Sequence, residues 1–372
     1  MFLRKAGFKP IKELYDIISV VGKGAYGEVY KARSLKTFET VAMKKINRKN
    51  SGSEGFPVTT FREIMLLKSL NHPNVANLIE IITDTNYDVY LVFEYTEYDL
   101  DYLLRRVKLS IEQVKSFMRQ MLFGLYAIHQ RYIFHRDLKP QNILVKNNNV
   151  IQIADFGLAK QISPNQKERM TPTVITIYYR PLELFFTAPK YTQQVDIWSL
   201  GCIFFEMMTN RQLFVTKNVV KENNDEANEM AVVQQIFTIC GYPDDNDWPG
   251  WRDLPKASLY LNMKDNSKLQ TGNLERYLTK ELPPQYQEAK PILLGMLQFN
   301  PEKRLSIEEI LTNPYLHSIQ DSLEPQNIPL ITMPTRSDKM EARAQAQANA
   351  TTTTNTKNMR PPPTLPPKII NQ

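Results

Sequence analysis

Three glycines, Gly22, Gly24 and Gly27, stand in GxGxxG spacing near the start of a 372-residue chain, and the segments just after them constrain the fold more than the glycines do. In a dinucleotide-binding unit such glycines open a helix, because the pyrophosphate sits on the helix N-terminus. Here they are followed by EVYKARS and TVAMKKI, which read as strands. The glycines therefore fall in a hairpin whose backbone can lie over phosphates. Taken by itself the segment also fits a glycine-rich turn with no ligand.

The strand pattern continues. YDIISVVG, EVYKARS, TVAMKKI and YDVYLVFEY are short β-like runs, and FREIMLLKSL between them has helical spacing. A small, mainly β N-lobe with one helix is expected over about 15–96. After Asp99 the pattern turns helical: Ser110 and Gln113 have the form of a capping box, and Val114, Phe117, Met118, Met121, Leu122, Leu125 and Ile128 hold helical spacing. A larger, mainly α C-lobe is expected over about 97–318, giving an α+β, bilobal fold. Residues 1–14 read as an N-terminal extension. Residues 319–372, with ARAQAQANATTTTNTKN and RPPPTLPPK, lack the apolar side chains that offset ordering entropy and read as a low-complexity, disordered tail. Arg360, Pro363 and Pro366 fit an SH3-type groove, but a solvated Pro-rich end is the simpler reading.

Composition narrows the function classes. The chain has 46 basic and 39 acidic residues, net +7, a modest excess with no basic stripe or nucleic-acid motif, so direct nucleic-acid binding is not expected. Cys202 and Cys240 are the only cysteines and lack the spacing of a metal or redox pair, which fits a reducing compartment. The first residues show no apolar signal core, and no stretch approaches the roughly 18 apolar residues of a membrane span. A soluble protein without membrane contact is expected.

Chemistry-bearing residues lie in a fixed order. Lys44 falls 17 residues after Gly27, on the next strand, where an ammonium can reach the α and β phosphates of a nucleotide under the loop, and Glu63 on the helix is the natural partner to hold it. His135 to Asn142 reads HRDLKPQN, and Asp155-Phe156-Gly157 follows, Asp155 being 13 residues after Asn142. A serine hydroxyl needs a carboxylate to orient it and take its proton, a role that suits Asp137. Lys139 can neutralise charge on a transferring phosphoryl group. Mg²⁺ takes hard oxygen ligands, which Asp155 and the amide oxygen of Asn142 supply.

With these motifs in this order, the segment from about Tyr15 to Ser318 resembles the eukaryotic protein kinases. The resemblance implies ATP and Mg²⁺ as cofactors and a nucleotide site built from Val21, Gly22, Gly24, Gly27, Val29, Ala42, Lys44, Phe93, Glu94, Thr96 and Leu144. It also implies a buried ion pair between Glu183 and Arg304, and Asp196 as a brace for the catalytic loop. The chain has Pro181-Leu182-Glu183 where the family has Ala-Pro-Glu or Pro-Pro-Glu.

PVTTFRE, from Pro57 to Glu63, is similar to the PSTAIRE helix of cyclin-dependent kinases, which implies a cyclin partner on that helix. VITIYYRP resembles their VVTLWYRP, which implies serine/threonine-proline substrates, with Arg180 making room for the proline. The EGFP entry and the stretch from Gln212 to Trp251, with its FxxxGxPxDxDW pattern, are similar to the Mediator-associated kinases of the cyclin-dependent kinase 8 type. That resemblance implies a C-type cyclin, Mediator kinase-module subunits as partners and a nuclear location in RNA polymerase II transcription. A PITSLRE-type kinase and a catalytically silent cyclin-binding scaffold are the alternatives. Thr171 aligns with the activation-loop phosphosite, with Arg62, Arg136 and Lys160 as its basic partners. An acidic residue stands there in Mediator-type kinases, and a plain surface threonine is the other reading. Ala25 replaces an inhibitory threonine beside Tyr26.

Overall fold

The computed structural model describes residues 9–24, 27–46, 58–86, 88–162, 176–216, 225–261, 272–317 and 324–331. Strands β1 (Tyr15–Gly24), β2 (Gly27–Ser34), β3 (Thr40–Ile46), β4 (Leu78–Thr83) and β5 (Val89–Glu94) form one antiparallel sheet in the order β1-β2-β3-β5-β4, and helix α1 (Val58–Ser69) follows β3 in the chain. β4 has no counterpart in the sequence reading: LIEIIT carries isoleucines on both faces and so lacks clean alternation.

Period-two alternation divides the sheet into two faces. Ala32, Val41, Met43, Tyr90 and Val92 point to one side and pack with Tyr15, Ile82 and Ile11 in a buried cluster, with Leu14 and Tyr30 against it. Their sequence neighbours Val29, Lys31, Ala42, Lys44, Leu91 and Phe93 are in cross-strand register on the other face. The apolar residues of one face fix the register, and the register places Lys44. Ile11 and Leu14, read from sequence as part of an extension, belong to this core.

The second lobe begins with β6 (Tyr98–Asp99), α2 (Leu100–Leu104) and α3 (Ile111–His129). Gln113 N donates to Ser110 Oγ at 3.2 Å and Ser110 N to Gln113 Oε1 at 2.8 Å, so the capping box is formed. Helix α3 runs beside the loop at Asn74, where a β-carbon on Gly124 would meet Asn74 O at 2.6 Å. Short strands β7 (Ile133–Phe134), β8 (Ile143–Val145), β9 (Ile151–Ile153) and β10 (Lys160–Gln161) carry the loops of the site, with β6-β8-β9 and β10-β7 as small antiparallel sheets. After α4 (Leu182–Phe185) comes α5 (Gln194–Thr209), buried from Val195 to Met208. Buried on all sides, it acts as the core post of the lobe.

Helices α6 (Asp225–Cys240), α7 (Ala257–Leu261), α8 (Leu274–Glu281), α9 (Lys290–Met296), α10 (Ile307–Leu311) and α11 (Pro314–His317) complete the lobe. No described helix is long and apolar enough to cross a membrane. Residues 324–330 also dock on it, although the sequence reading put them in the tail. Ile328 is buried, Asn149 Nδ2 donates to Ile328 O and Pro329 O at 3.3 and 3.2 Å, and Gln113 Nε2 donates to Pro329 O at 2.8 Å.

Candidate active site

Register builds the first half of the site. Gly22 faces Val29, Val29 faces Lys44 and Lys44 faces Leu91, so glycine hairpin and ammonium lie on adjacent strands. Gly24 and Gly27 face each other where the hairpin closes, and Gly27 has φ 144°, a conformation open to glycine. Val21 is on β1 of the same hairpin. Lys44 Nζ reaches Asp155 Oδ1 at 3.0 Å, joining the lobes. Burial pushes the Asp155 carboxyl up, but the Lys44 ammonium, His135 and the Gly157 N–H outweigh it, and the net shift is below the ordinary carboxylate value. Asp155 is an anion at neutral pH.

The loop that begins at His135 is held by Asp196, which is fully buried near the start of α5. Its Oδ2 accepts from His135 N at 2.9 Å and from His129 Nε2 at 2.9 Å, and its Oδ1 accepts from Arg136 N at 2.8 Å. Burial again pushes the carboxyl up, and hydrogen bonds and charge from the histidines and Arg136 bring it below the ordinary value. Arg136 (φ 63°) and Asp155 (φ 64°) are both left-handed, a conformation that costs a non-glycine residue about 1–3 kcal/mol and persists only where surroundings impose it. For Arg136 those surroundings are visible. Its Nε donates to Leu158 O and its Nη1 to Tyr191 Oη, both at 2.8 Å.

Asp137 stands at the centre. Its Oδ2 accepts from Lys139 Nζ at 2.7 Å and Asn142 Nδ2 at 3.0 Å, and its Oδ1 accepts from Thr176 Oγ1 at 2.9 Å. Lys139 Nζ also donates to Thr176 Oγ1 at 3.1 Å, closing a ring of three side chains. Asn142 Nδ2 spends its second hydrogen on Asp137 O at 2.7 Å, which leaves the amide oxygen as the acceptor. Ala154 N donates to Asn142 O at 2.9 Å and so sets Asp155 beside Asn142. One carboxylate and one amide oxygen fit Mg²⁺, which completes its octahedron with waters and substrate phosphates. Among the described residues no cluster of three or more His, Cys, Asp or Glu forms a closed metal cage.

Ala42 and Phe93 are in register on β3 and β5, Glu94 ends β5, Thr96 follows it, and Leu144 faces Asp99 on β8. The strand and hinge residues expected to flank an adenine are thus placed on both lobes. Lys31 Nζ reaches Glu97 Oε2 at 3.0 Å and Lys146 Nζ reaches Glu94 Oε2 at 2.7 Å, tying the hinge to each lobe.

Elsewhere, Arg304 grips Glu183 with two hydrogen bonds of 2.6 and 2.8 Å, and Arg180 pairs with Glu229 of α6. The expectations on Thr171, Ala25, Tyr26 and Pro57, and on the side chains of Arg62 and Glu63, fall outside the described residues. Thr176, Tyr191, His129 and Glu229 had no role in the sequence reading. Each is polar and commonplace in type, and only folding brings it to its partner.

The family model for the protein kinase domain matches residues 15–316. Cyclin-dependent kinase C-2 of Arabidopsis thaliana is 34% identical over 334 residues, covering 85% of this chain and 61% of that protein. The CTD kinase subunit alpha of Saccharomyces cerevisiae is 35% identical over 320 residues, covering 86% of this chain and 56% of that protein. A crystal structure of the yeast RNA Pol II CTD kinase CTDK-1 complex matches with TM-score 0.71 and 33% identity, covering 86% of this chain and 96% of that one. The chain spans about three-fifths of the length of the plant relatives. It belongs to the protein kinase family. Its relatives within that family are named as cyclin-dependent kinases and CTD kinases.

Proposed function

We propose that this chain is the catalytic subunit of a cyclin-dependent serine/threonine kinase, transferring the γ-phosphoryl group of ATP to serine or threonine followed by proline. The observation that carries the reading is the ring around Asp137, in which Lys139, Asn142 and Thr176 all converge on one carboxylate. A carboxylate held by three donors has a fixed direction and stays available as a base for an incoming hydroxyl. Lys139 then meets the charge on the moving phosphoryl group, and Lys44 holds the nucleotide phosphates beneath the hairpin. Mg²⁺, held by Asn142 and Asp155, supplies charge neutralisation on the phosphates when bound. Glu63 is assigned to orient Lys44 once a cyclin contacts α1, and Thr171 is assigned as the activating phosphosite. Residues 15–318 are assigned as the catalytic unit.

The relatives named as RNA Pol II CTD kinases support a transcriptional, nuclear role with a cyclin partner. A second reading, a Mediator kinase module with a C-type cyclin, is favoured by the FxxxGxPxDxDW pattern from Phe237 to Trp248. In the structure this stretch ends α6 and stacks Trp248 against Phe186. The test is phosphotransfer by the full chain with and without candidate cyclins, using a serine-proline peptide and its serine-alanine counterpart. Cyclin-stimulated transfer to the first peptide is expected. Mg-ATP binding with no transfer under any cyclin would leave the silent-scaffold reading instead.

A further inference from the structure

Glu229 of α6 is joined to Arg180 by an ion pair whose side chains are 15% and 7% exposed. Among the described residues the carboxylate has no other hydrogen bond or ion pair. The Arg180 guanidinium also lies over the Phe185 ring, 5.0 Å from its centroid. Glu229 is thus an anion facing a cation held almost out of water, and its loss removes that compensation.

Arg180 closes a short turn that begins at the ring around Asp137. Tyr179 N donates to Thr176 O at 3.0 Å and Arg180 N to Ile177 O at 3.3 Å, which ties residues 176–180 together. The turn has three anchors on three parts of the lobe. Thr176 Oγ1 donates to Asp137 Oδ1 at 2.9 Å, Ser199 Oγ of α5 donates to Tyr179 O at 2.8 Å, and Glu229 of α6 holds Arg180. An acceptor hydroxyl that reaches Asp137 comes to the carboxylate that Thr176 already shares. The peptide carrying that hydroxyl therefore lies against this turn, and where the turn sits decides where the peptide sits.

We infer, on the basis of the phosphotransfer proposed above, that Glu229 is a positioning residue for the peptide acceptor: through Arg180 it holds the turn 176–180 against Asp137. Helix α6 thereby takes part in acceptor binding and not in nucleotide binding, since Lys44, Asn142 and Asp155 stand on other elements.

The test uses the full chain with candidate cyclins, a serine-proline peptide and Mg-ATP. Glu229→Gln keeps the shape of the side chain and removes its charge. The peptide's kcat/KM should fall about 10- to 100-fold, mainly through KM, as for a small misplacement beside reacting groups, while KM for ATP stays near wild type. Glu229→Asp, which keeps the charge on a shorter arm, should recover most of the loss. Glu226→Gln, which removes an equal charge from the exposed first turn of α6, should change neither constant. Anisotropy of the labelled peptide, with a non-hydrolysable ATP analogue present, reads the same effect without turnover: Glu229→Gln should weaken peptide binding and leave the analogue's affinity alone. A chain that transfers no phosphate under any cyclin would sink the proposed function, and the anisotropy would still decide the role of Glu229. Peptide binding equal to wild type in Glu229→Gln would overturn the inference. So would an equal loss of peptide and nucleotide affinity, which marks a purely structural pair.

Discussion

Thr176 Oγ1 donates to Asp137 Oδ1 at 2.9 Å while accepting from Lys139 Nζ at 3.1 Å, so a residue 39 positions downstream links the two proposed catalytic groups. Thr176→Val keeps the shape and deletes both contacts. Because a small misplacement of a reacting group can cost about 10²-fold, turnover should fall about 10- to 100-fold while the KM for ATP stays near wild type. Thr176→Ser should restore most of it. Steady-state kinetics on a serine-proline peptide checks both, and an inactive serine variant would show that the methyl group matters instead.

Asp137→Asn tests the base itself. The amide is nearly isosteric, yet it cannot take a proton, and it presents an N–H₂ where Lys139, Asn142 and Thr176 now converge as donors. General-base loss should lower turnover about 10²- to 10⁴-fold. Nucleotide affinity, read by calorimetry, should change little, since Lys44 and Asp155 are untouched. Wild-type turnover in this variant would remove Asp137 from the role.

The Glu183–Arg304 pair is almost wholly buried, with side-chain exposures of 2% and 0%. Arg304→Met strands an anion and also leaves Gln298 O, Gln194 O and Phe299 O without their donor. Breaking one partner of a buried pair costs about 3–5 kcal/mol, and denaturant melts should show a loss of that order. Adding Glu183→Leu should recover part of the loss but not all, because the three carbonyls stay orphaned.

Glu206 gives the fold a pH dependence of unusual sign. Burial pushes its carboxyl up to about 7, with the Tyr179 hydroxyl, 2.8 Å away, pulling the other way. In the unfolded chain the group titrates near 4.5. The folded state therefore holds the proton more tightly, and this contribution is full below pH 4.5 and gone above about 7. With each tenfold difference in proton affinity between the two states worth about 1.36 kcal/mol, it amounts to about 3 kcal/mol. Melts of wild type and Glu206→Gln at pH 5 and pH 8 should show a gap that shifts in favour of the variant as pH rises. A pH-independent gap would mean that Glu206 stays charged.

Much of this was legible in the sequence, for identifiable reasons. The capping box at Ser110 and Gln113 and the helix after it are local signals, and both are present. The loop from His135 to Asn142 and the Asp155 segment are close in sequence, and Ala154 N donates to Asn142 O at 2.9 Å, so their adjacency reads from the chain itself. What stayed hidden is set by distance along the chain. Asp137 meets Thr176, Arg136 meets Tyr191, and Arg180 meets Glu229 of α6 only because the folded chain brings residues 39 to 55 positions apart together. Strand β4 was missed because both of its faces carry isoleucine. The docked segment 324–330 was missed because a single buried isoleucine inside a polar, proline-containing run does not register as a core signal.

That segment yields the last prediction. Asn149 sits at φ 62°, 1% exposed, and its Nδ2 lies within 3.4 Å of Pro325 O, Ile328 O and Pro329 O. Its backbone oxygen accepts from Gln120 Nε2 at 3.0 Å, and Gln120 Oε1 in turn accepts from Asn74 Nδ2 at 3.1 Å. The docked segment is thus joined by buried hydrogen bonds to the loop between α1 and β4. Ile328→Ala removes a buried side chain and should destabilise by about 2–4 kcal/mol. Asn149→Gly keeps the left-handed backbone and deletes only the donor, so its loss should be smaller, about 1–2 kcal/mol. Amide hydrogen exchange separates this from a purely local effect. In both variants protection should fall at Ile151 N and Ile153 N, which bond to Gln120 and Asn74, as well as around residue 328. Unchanged protection at Ile151 and Ile153 would confine the segment to its own groove.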